Sequence, residues 1–401
     1  MTSEATPSAV AKRIGDRIMH LHLHPDEVYA DADRHRATRA ELIGDSFAYH
    51  FAQNEAYRRF ASAAGVEPGP ELRLADIPLL PSGLFKRPGV DLCSVPASSI
   101  IKRCESSGTS GSLSVVPRDE STLSNFLGSI SSIFPSFLRI ERTGNQRGFV
   151  LGPSAEEAGD LWFSYVISCV SLMMQTEFLE HQGHIDMDRA AQRVRAAVAE
   201  GQNVVIIGPP FSILEFSEHV AAQGQWPSLS AKSFVVSAGG WKSRQRESID
   251  DVRYRETVAA RLGLASEASL RDIYNMVELN TVLPECELHQ KHVPAWVDVI
   301  IRDAATNEPL PVGETGIISF LDASSLSYPA FILSEDIGRI AEDQCPCGRH
   351  GKTLTVLRRM SNIESRGCAL KMASGGVSRH ADSGRFFQSF YRKPAGSPRG
   401  A

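Results

Sequence analysis

A short loop rich in hydroxyl groups and glycines contains the residues best suited to chemistry in this chain. It follows an apolar run, Ser99 to Lys102, that has the character of a strand. Glycine allows positive φ and the close approach of a ligand, and successive backbone N–H groups can converge on an anion. Hydroxyl groups add short, rotatable donors. The loop therefore predicts a phosphate-binding cradle formed by Ser106, Ser107, Gly108, Thr109, Ser110 and Gly111.

Two other interpretations of this loop can be weighed against the cradle. A flexible Ser/Gly linker would have the same composition, but this loop is short and lies between segments with structured patterns. The nucleotide-binding pattern G-x-x-x-x-G-K-[S/T] is excluded because no lysine follows the glycines. We therefore expect hydroxyls and backbone amides to contact the phosphates.

Cysteine and histidine residues form a second group with chemical potential. The chain has seven cysteines and no export signal, which argues against disulfides and for metal-binding or catalytic roles. Three thiolates and one imidazole suit a tetrahedral structural zinc ion. The candidate ligands are Cys286, Cys345 and Cys347, together with either His292 or His289.

Three further histidines alternate with other residues near the N-terminus. His20, His22 and His24 would share one face of a strand or scatter around a helix. A metal site is one interpretation of this spacing, but we predict a solvent-exposed face.

Composition and charge describe an ordinary globular protein. The chain has 401 residues, of which 42% are hydrophobic and 22% are charged, and its length predicts about two to three domains. The net charge of -5 argues against a nucleic-acid partner, which would require a basic patch. Residues 1–11 show no signal-peptide pattern, and the longest apolar stretch, residues 161–174, is too short to span a membrane. We therefore expect a cytoplasmic protein without a membrane span.

The hydrophobic pattern changes from helical in the N-terminal part to alternating strands and helices in the middle. Residues 12–65 have apolar residues at helical spacing. A helix over Met187–Glu200 precedes the β-branched strand Val204–Ile207, and the run Ser233–Ala238 ends in a glycine turn. This alternation predicts a doubly wound α/β sheet that binds ligands at the carboxyl ends of its strands. Residues 311–340 are predicted to be β-rich, and the polar tail from Gly375 onward to be poorly ordered.

The hydroxyl-rich loop and a later glycine turn resemble motifs of the adenylate-forming enzymes, which include acyl-CoA ligases, adenylation domains and luciferases. The sequence Ser-Ser-Gly-Thr-Ser-Gly is similar to the phosphate loop of that superfamily. The turn Gly239-Gly240, followed by Trp241 and Lys242, resembles the glycine turn that lines the adenine pocket. The resemblance implies that both elements contact ATP.

The stretch Tyr274 to Glu278 resembles the superfamily motif Tyr-Gly-x-Thr-Glu. By that resemblance Tyr274 stacks on adenine and Glu278 helps to hold Mg²⁺. An aromatic face suits stacking on a base, and a carboxylate suits Mg²⁺ bridged to phosphates. The chain departs from the motif at two positions, where Asn275 replaces the glycine and Val277 replaces the threonine.

Two motifs further along the chain complete the resemblance. Residues 335–339 resemble Thr-Gly-Asp-x-Gly-Arg, which implies that Asp336 accepts both ribose hydroxyls. Arg358 and Arg359 lie where the superfamily has a hinge to a mobile C-terminal domain, but too few residues follow them to form that domain. The adenylation lysine of that domain is therefore missing or replaced, and the candidates are Lys242 and Lys371.

A narrower resemblance accounts for the short C-terminal part. Over residues 40–372 the chain resembles the LuxE-type acyl-protein synthetases of the bacterial bioluminescence fatty-acid reductase complex, and their relatives the phenylacetate-CoA ligases. The stretches that carry it are residues 49–60, Ile77-Pro78, Phe85-Lys86, 239–242 and 364–369. In that family a cysteine near the C-terminus accepts the acyl group from the adenylate, and Cys368 matches its position. Some phenylacetate-CoA ligases share the Cys-x₅-His and Cys-Pro-Cys spacings, which favours His292 over His289 as a zinc ligand.

The resemblance implies an enzyme that uses ATP and Mg²⁺ to convert a carboxylic acid into an acyl-adenylate and then passes the acyl group to a thiol. The acceptor is open between Cys368 followed by a partner protein, CoA, a carrier protein and an amine. A structural Zn²⁺ would hold the segment after Glu278 to the β-rich segment after Asp336. A divergent, non-catalytic subunit of a complex and a zinc-stabilised interaction module are the alternatives.

The expected fold is that of an adenylate-forming α/β enzyme with doubly wound sheets, a β-rich part and a truncated C-terminal domain. The predicted division has a mainly helical N-terminal region over residues 1–98 and the α/β core over 99–357. Residues 358–401 form a short C-terminal segment and a flexible tail in this prediction.

Overall fold

The computed structural model describes residues 6–87, 89–107, 113–138, 145–241, 250–342 and 344–360. Among these residues, no helix combines the length and hydropathy that are needed to cross a bilayer. The α-helices of this part are α1 (Pro7–Leu23), α2 (Ala32–Gln53), α3 (Glu55–Ala63), α4 (Glu120–Leu138), α5 (Ala155–Ala158), α6 (Trp162–Ser168), α7 (Met187–Ala199), α8 (Pro210–Ala222) and α9 (Asp251–Arg261).

The strands alternate with these helices in the middle of the chain and follow one another towards its end. In chain order they are β1 (Leu80–Pro81), β2 (Ile100–Glu105), β3 (Val115–Asp119), β4 (Gln146–Val150), β5 (Gln175–Phe178), β6 (Glu180–His181), β7 (His184–Ile185), β8 (Asn203–Gly208), β9 (Phe234–Ala238), β10 (Leu270–Tyr274), β11 (Leu283–Pro284), β12 (Lys291–His292), β13 (Val297–Arg302), β14 (Gly316–Asp322), β15 (Phe331–Ala341) and β16 (Thr353–Arg359).

One six-stranded sheet has the order β11-β10-β9-β8-β4-β5 and is parallel except for β11. The direction of winding reverses at β4, which lies between β5 and β8, so the sheet has a topological switch point there. Open α/β sheets bind their ligands outside the carboxyl ends of the strands near such a point.

Helices cover both faces of this parallel sheet. Val204 and Ile206 belong to one apolar cluster with side chains of α7, α8 and α9. Val205 and Ile207 belong to a second cluster with side chains of α4 and α6. Successive side chains of a strand point to opposite faces, so a strand buried on both faces reads as a continuous apolar run. The doubly wound α/β architecture predicted from the sequence is confirmed.

The second six-stranded sheet is mainly antiparallel, with the order β12-β16-β15-β14-β13 and with β1 paired in parallel to β15. Strands β14 and β15 form the part that was predicted to be β-rich. Gly338 is required in β15, because a Cβ there would lie 2.4 Å from the carbonyl oxygen of Thr355. This close approach of β15 to β16 lies two residues after Asp336 and therefore constrains the position of that carboxylate.

The N-terminal helices begin at side-chain caps and pack on the antiparallel sheet, where α2 contacts β13. Asp31 and Asn54 accept hydrogen bonds from first-turn N–H groups of α2 and α3. Tyr57 donates its hydroxyl proton to the Pro78 carbonyl at 2.8 Å, which holds the segment before β1 against α3. The helical pattern of residues 12–65 is thus observed as three helices. The division into domains near residues 98 and 357 stays a prediction.

The histidines near the N-terminus do not form the solvent-exposed face that was predicted. The sequence lies on α1, whose pitch turns His22 inwards while His20 pairs with Glu27. The His22 ring packs edge-on against Trp296, with centroids 5.1 Å apart, and Gly128 of α4 leaves room for it. Neither ring nitrogen of His22 has a hydrogen-bond partner within the described part of the chain. Burial lowers the pKa of His22 to about 4.

We expect His22→Leu to stabilise the fold, and to do so more at pH 5 than at pH 8. The unfolded imidazole has a pKa of about 6.5 and the folded one about 4, so the wild type loses stability as the pH falls between these values. Leucine binds no proton and leaves no buried nitrogen unpaired. Urea unfolding at the two pH values measures the effect.

His50→Leu is the control for this substitution. The His50 ring contacts Ser94 Oγ at 2.7 Å and the Ser325 carbonyl at 3.0 Å, so its removal leaves buried polar groups unpaired and destabilises the fold at pH 8. An equal gain in the free energy of unfolding from His22→Leu at both pH values would contradict the assignment of a buried, neutral His22 with a lowered pKa.

Candidate functional site

The turn after β9 and the end of β10 lie side by side at the carboxyl edge of the parallel sheet. Ala238 and Ile273 are register partners, so the residues that follow them, Gly239 and Tyr274, are neighbours. Gly239 and Gly240 have φ values of 78° and 61°, in the left-handed region that favours glycine. The turn therefore needs both of the glycines that the sequence analysis singled out.

Tyr274 joins the parallel sheet to the antiparallel sheet. Its hydroxyl donates a 2.6 Å hydrogen bond to Asp336 Oδ2 on β15. Its ring stacks on Phe320 of β14, with centroids 5.5 Å apart and planes 20° apart. Burial raises the pKa of Asp336, while the hydrogen bond from Tyr274 lowers it. Two residues predicted to hold the nucleotide, 62 positions apart in sequence, are thus in direct contact.

Cationic side chains lie beside this contact. Arg359 is the register partner of Asp336 across β15 and β16. Its Nη2 donates to Glu335 Oε2 at 2.8 Å. Lys86, at the end of the short 3₁₀ helix that follows β1, places Nζ 3.7 Å from the same oxygen. The structure therefore brings two cations to the place where a nucleotide was predicted to bind.

Glu278 lies in the segment that leaves β10 and is 5% exposed. Burial raises the pKa of its carboxyl group, whereas the charges of Lys86 and Arg359 lower it. A carboxylate removed from water in this way gains from a nearby hard cation. Its chemistry and burial thus fit the Mg²⁺ role that the motif implies.

Ser106 and Ser107 follow β2 and begin the hydroxyl-rich loop. The Ser114 N–H donates to Ser106 Oγ at 2.9 Å, and the Ser106 N–H donates to the Ser114 carbonyl at 3.0 Å. These two hydrogen bonds extend the antiparallel pairing of β2 and β3 to Ser106 and Ser114. Several predicted site residues lie outside the described residues, namely Gly108, Thr109, Ser110, Gly111, Lys242, Cys368 and Lys371.

The structure brings together Cys286, His292, Cys345 and Cys347, whose potential ligand atoms all lie within 4.8 Å of one another. The two sulfurs of Cys286 and Cys345 are 3.9 Å apart, and Cys347 Sγ lies 3.4 Å from His292 Nε2. Tetrahedral zinc with Zn–S bonds of about 2.3 Å sets its sulfurs about 3.8 Å apart, so the donor set fits. His289 Nδ1 instead contacts Arg255 at 2.8 Å.

The surroundings of this cluster also suit thiolate ligands. The Leu288 N–H donates to Cys286 Sγ, and Arg349 Nη1 donates to Cys347 Sγ, both at 3.4 Å. Burial opposes ionisation of Cys347, but hydrogen bonds from the backbone and side chain of Arg349 lower the pKa of its thiol. Such donors orient and stabilise metal-bound sulfur.

A buried ion network connects the cysteine cluster to the glycine turn. Lys291, the residue before His292, lies 2.9 Å from Glu285 Oε1 and 3.0 Å from Asp272 Oδ2. Asp272 also accepts a 2.6 Å hydrogen bond from Ser237 Oγ at the end of β9, just before the glycine turn. A series of direct contacts therefore leads from the cluster to one wall of the candidate site.

An apolar pocket lies between the parallel sheet and helices α4 and α6. The space between its lining side chains is about 310 Å³, open solvent included. Ile273, the residue before Tyr274 on β10, is part of its wall. Its lining side chains are all apolar and come mainly from α4, α6 and the central strands, namely Ile130, Phe134, Val166, Ile167, Val170, Met173, Ile207, Val236, Ile273 and Val282.

Comparison with known proteins decides the family. Residues 10–375 match the family described as acyl-protein synthetase, LuxE. The chain belongs to the acyl-protein synthetase family. The long-chain-fatty-acid–luciferin-component ligase of Vibrio harveyi is 33% identical over 335 residues, which cover 83% of this chain and 87% of that protein. The ligase of the same name from Aliivibrio fischeri is 31% identical over 343 residues, which cover 85% of this chain and 89% of that one.

Solved structures agree on the fold of this acyl-protein synthetase. An open conformation of 2-hydroxyisobutyryl-CoA ligase superposes with a TM-score of 0.66 at 16% identity, over 84% of this chain and 78% of that one. The predicted adenylate-forming fold is thereby confirmed. Family membership makes the protein a ligase that activates an acid with ATP and transfers the acyl group to a thiol or protein. It favours the enzyme over the non-catalytic subunit and the interaction module.

A buried polar group beside the Tyr274–Glu278 loop of this acyl-protein synthetase was not predicted from its sequence. Arg118 is 0% exposed and donates from Nη2 to the Val277 carbonyl at 2.8 Å. Its guanidinium carbon lies 3.7 Å from the centroid of the Trp162 ring. The available signal was an arginine beside a proline inside the short apolar strand β3.

Proposed function

We propose that this acyl-protein synthetase converts a long-chain fatty acid into its adenylate and then passes the acyl chain to a cysteine thiol. A carboxylate oxygen of the acid attacks the α-phosphorus of ATP, and pyrophosphate leaves. A thiolate then attacks the acyl carbonyl, and AMP leaves with the electrons of the broken anhydride bond. The observation that carries the proposal is the contact of Tyr274 with Asp336 beside an apolar pocket. The names of the two luciferin-component ligases support a long-chain acid.

Each side chain at the junction of the sheets has a separate task in this reaction. The glycine turn Gly239-Gly240 lines the adenine pocket, and the Tyr274 ring stacks on the base. Asp336 accepts hydrogen bonds from the ribose hydroxyls, and Arg359 balances the charge of the carboxylates beside it. Their rigid positions on strand ends supply the positioning on which phosphoryl chemistry depends.

The phosphates of ATP carry the charge that the site must stabilise. We assign Mg²⁺ to Glu278 and the phosphate oxygens to the hydroxyls and amides of the loop that begins at Ser106. Lys242 and Lys371 remain the candidates predicted to contact the α-phosphate, and Lys86 is a third because its Nζ lies 3.7 Å from Glu335 at the site. A fixed cation aimed at the developing charge lowers the barrier without reorganisation.

The apolar pocket is the proposed site of the acyl chain. The described residues of its wall are all apolar and include Ile273, which precedes Tyr274 on β10. Each buried methylene group contributes about 0.8 kcal/mol to binding, so a pocket of this kind selects acids by length.

Cys368 is the proposed first acceptor, with a partner protein as the second. A thioester keeps the acyl group activated for that transfer. Arg366 and Lys371 lie close to Cys368 in sequence and supply positive charge that favours the thiolate. CoA, a carrier-protein thiol and an amine are the other acceptors that the test below distinguishes. The cytoplasmic location stays a prediction.

Intact-protein mass spectrometry tests the whole proposal. Protein is incubated with ATP, Mg²⁺ and a panel of saturated fatty acids of increasing length. We expect a hydroxylamine-labile acyl adduct on wild type and none on Cys368→Ala. Cys93→Ala is the matched control and keeps the adduct, because burial raises the pKa of the Cys93 thiol to about 11 and so keeps it protonated.

Release of AMP without any adduct would assign the acceptor to CoA, a carrier or an amine and would refute the role of Cys368. Absence of both AMP and adduct across the whole panel would contradict the proposed reaction.

Narrowing the pocket should shift the preference of the enzyme towards shorter acids. In Val166→Phe and Met173→Trp we expect kcat/KM for the longest acids to fall by about fourfold for each methylene group that is excluded. Leu172→Trp, at a neighbouring side chain that is 54% exposed, should leave the length profile unchanged. A uniform fall across all chain lengths in the pocket variants would place the acyl chain elsewhere.

We also propose that Cys286, His292, Cys345 and Cys347 hold a structural Zn²⁺ ion. The donor set and its spacing support this, as do the N–H donors to Cys286 and Cys347. The ion would fix the segment after Glu278 against β16. In this arrangement it takes no part in the reaction.

Elemental analysis of the purified protein should find about one zinc per chain. Cys345→Ser should lose the metal, lower the melting temperature and raise KM for ATP, because the ion network links the cluster to the glycine turn. Cys169→Ser, at another buried cysteine, should keep the metal. Wild-type protein without stoichiometric zinc, or a Cys345→Ser variant with full metal content, would contradict the assignment.

A further inference from the structure

Helix α6 contacts both the apolar pocket and the Tyr274–Glu278 loop. This helix lines the pocket with Val166 and Ile167 and begins at Trp162. The Trp162 ring also packs on Phe126 of α4, the other helix in the pocket wall, with centroids 4.4 Å apart. A chain that fills the pocket therefore packs against the two helices that hold the indole in place.

The same indole is bonded directly to the loop. Trp162 Nε1 donates a 2.6 Å hydrogen bond to Asn275 Oδ1. Asn275 Nδ2 in turn donates to the carbonyls of Leu279 at 3.2 Å and Thr281 at 2.8 Å. Asn275 thus closes the segment that contains Glu278. The superfamily motif has glycine at this position, and glycine has no side chain that could form these hydrogen bonds.

Arg118 ties the indole to the loop a second time. Its guanidinium stacks on Trp162, and a desolvated cation over an indole is held firmly. The same guanidinium donates to the Val277 carbonyl at 2.8 Å and to Asn280 Oδ1 at 3.0 Å. One side chain therefore contacts both the indole ring and the loop backbone.

We propose that Trp162, Asn275 and Arg118 are positioning residues that couple the acyl pocket to the nucleotide site. The inference rests on the proposed function, since it takes the pocket as the acyl site and Glu278 as a Mg²⁺ ligand. A fatty-acid chain packed on α6 fixes the indole, and the bond to Asn275 then fixes Glu278 in the position that binds Mg·ATP. Because such coupling is reciprocal, Mg·ATP tightens fatty-acid binding by the same factor.

Calorimetry on the full chain measures this coupling. The unreactive analogue α,β-methylene-ATP, together with Mg²⁺, is titrated into the protein in the absence and in the presence of saturating dodecanoate. We expect wild type to bind the analogue at least about fivefold more tightly with dodecanoate present. In Trp162→Phe an aromatic ring remains over Arg118 but the N–H donor is lost. The ratio of the dissociation constants of the analogue without and with dodecanoate should therefore fall to about one, while each ligand alone still binds.

Trp226→Phe is a matched control on the other face of the parallel sheet. Trp226 Nε1 also donates to a backbone carbonyl, that of Leu262 at 2.9 Å, and its ring also lies near a guanidinium, that of Arg195 at 5.4 Å. This variant should keep the wild-type ratio. Asn275→Asp keeps the acceptor for Trp162 but loses both donors, so it should also abolish the coupling, and it replaces Trp162→Phe if that variant does not fold.

Retention of the wild-type ratio in Trp162→Phe would overturn the inference, as would loss of the ratio in Trp226→Phe. If wild type forms acyl-adenylate but binds the analogue equally well with and without dodecanoate, this result overturns the coupling alone. A protein that binds no fatty acid at all overturns both the coupling and the proposed function, and the absence of AMP release in the mass-spectrometry assay identifies that case.

Discussion

The hydrogen bond between the Tyr274 hydroxyl and Asp336 joins two sheets of different construction. The parallel sheet supplies the glycine turn and Tyr274, because the carboxyl ends of its strands meet at one edge. The antiparallel sheet supplies Asp336 and, across its register, Arg359. The proposed nucleotide contacts are divided between the two sheets, so the proposed site exists only while the two edges stay together. The partly buried hydrogen bond and the stacking of Tyr274 on Phe320 are direct contacts between the two edges.

Electrostatics explains why these groups are held so firmly. Glu278 and Asp336 are carboxyl groups whose pKa values are raised by burial, and that burial is costly without compensating charge. Lys86 and Arg359 provide part of the compensation, and the proposed Mg²⁺ would provide more. The ion pair of Lys291 and Asp272 leads from the cysteine cluster to the wall of the same site.

Sequence patterns predicted those features that depend on local periodicity and on short motifs. The continuous apolar run at β8 indicated a strand buried on both faces, and the stretches around Gly239, Tyr274 and Asp336 indicated elements that do meet in space. Features that depend on the packing of distant segments were missed. His22 was expected to face solvent, because the pitch of α1 and the space left by Gly128 are visible only in three dimensions. Arg118 and the apolar pocket were missed for the same reason, since their partners come from separate parts of the chain.

If ATP binds where Tyr274 meets Asp336, the most direct measurement is exchange of labelled pyrophosphate into ATP, which reports adenylate formation without regard to the acyl acceptor. Wild type should exchange only when a fatty acid is present. Asp336→Ala should raise KM for ATP at least about tenfold, because hydrogen bonds to a charged group contribute about 1.5–3 kcal/mol each. Glu335→Gln, at the adjacent residue, should change KM for ATP far less. Exchange by Asp336→Ala with the wild-type KM for ATP would contradict nucleotide binding at the junction of the two sheets.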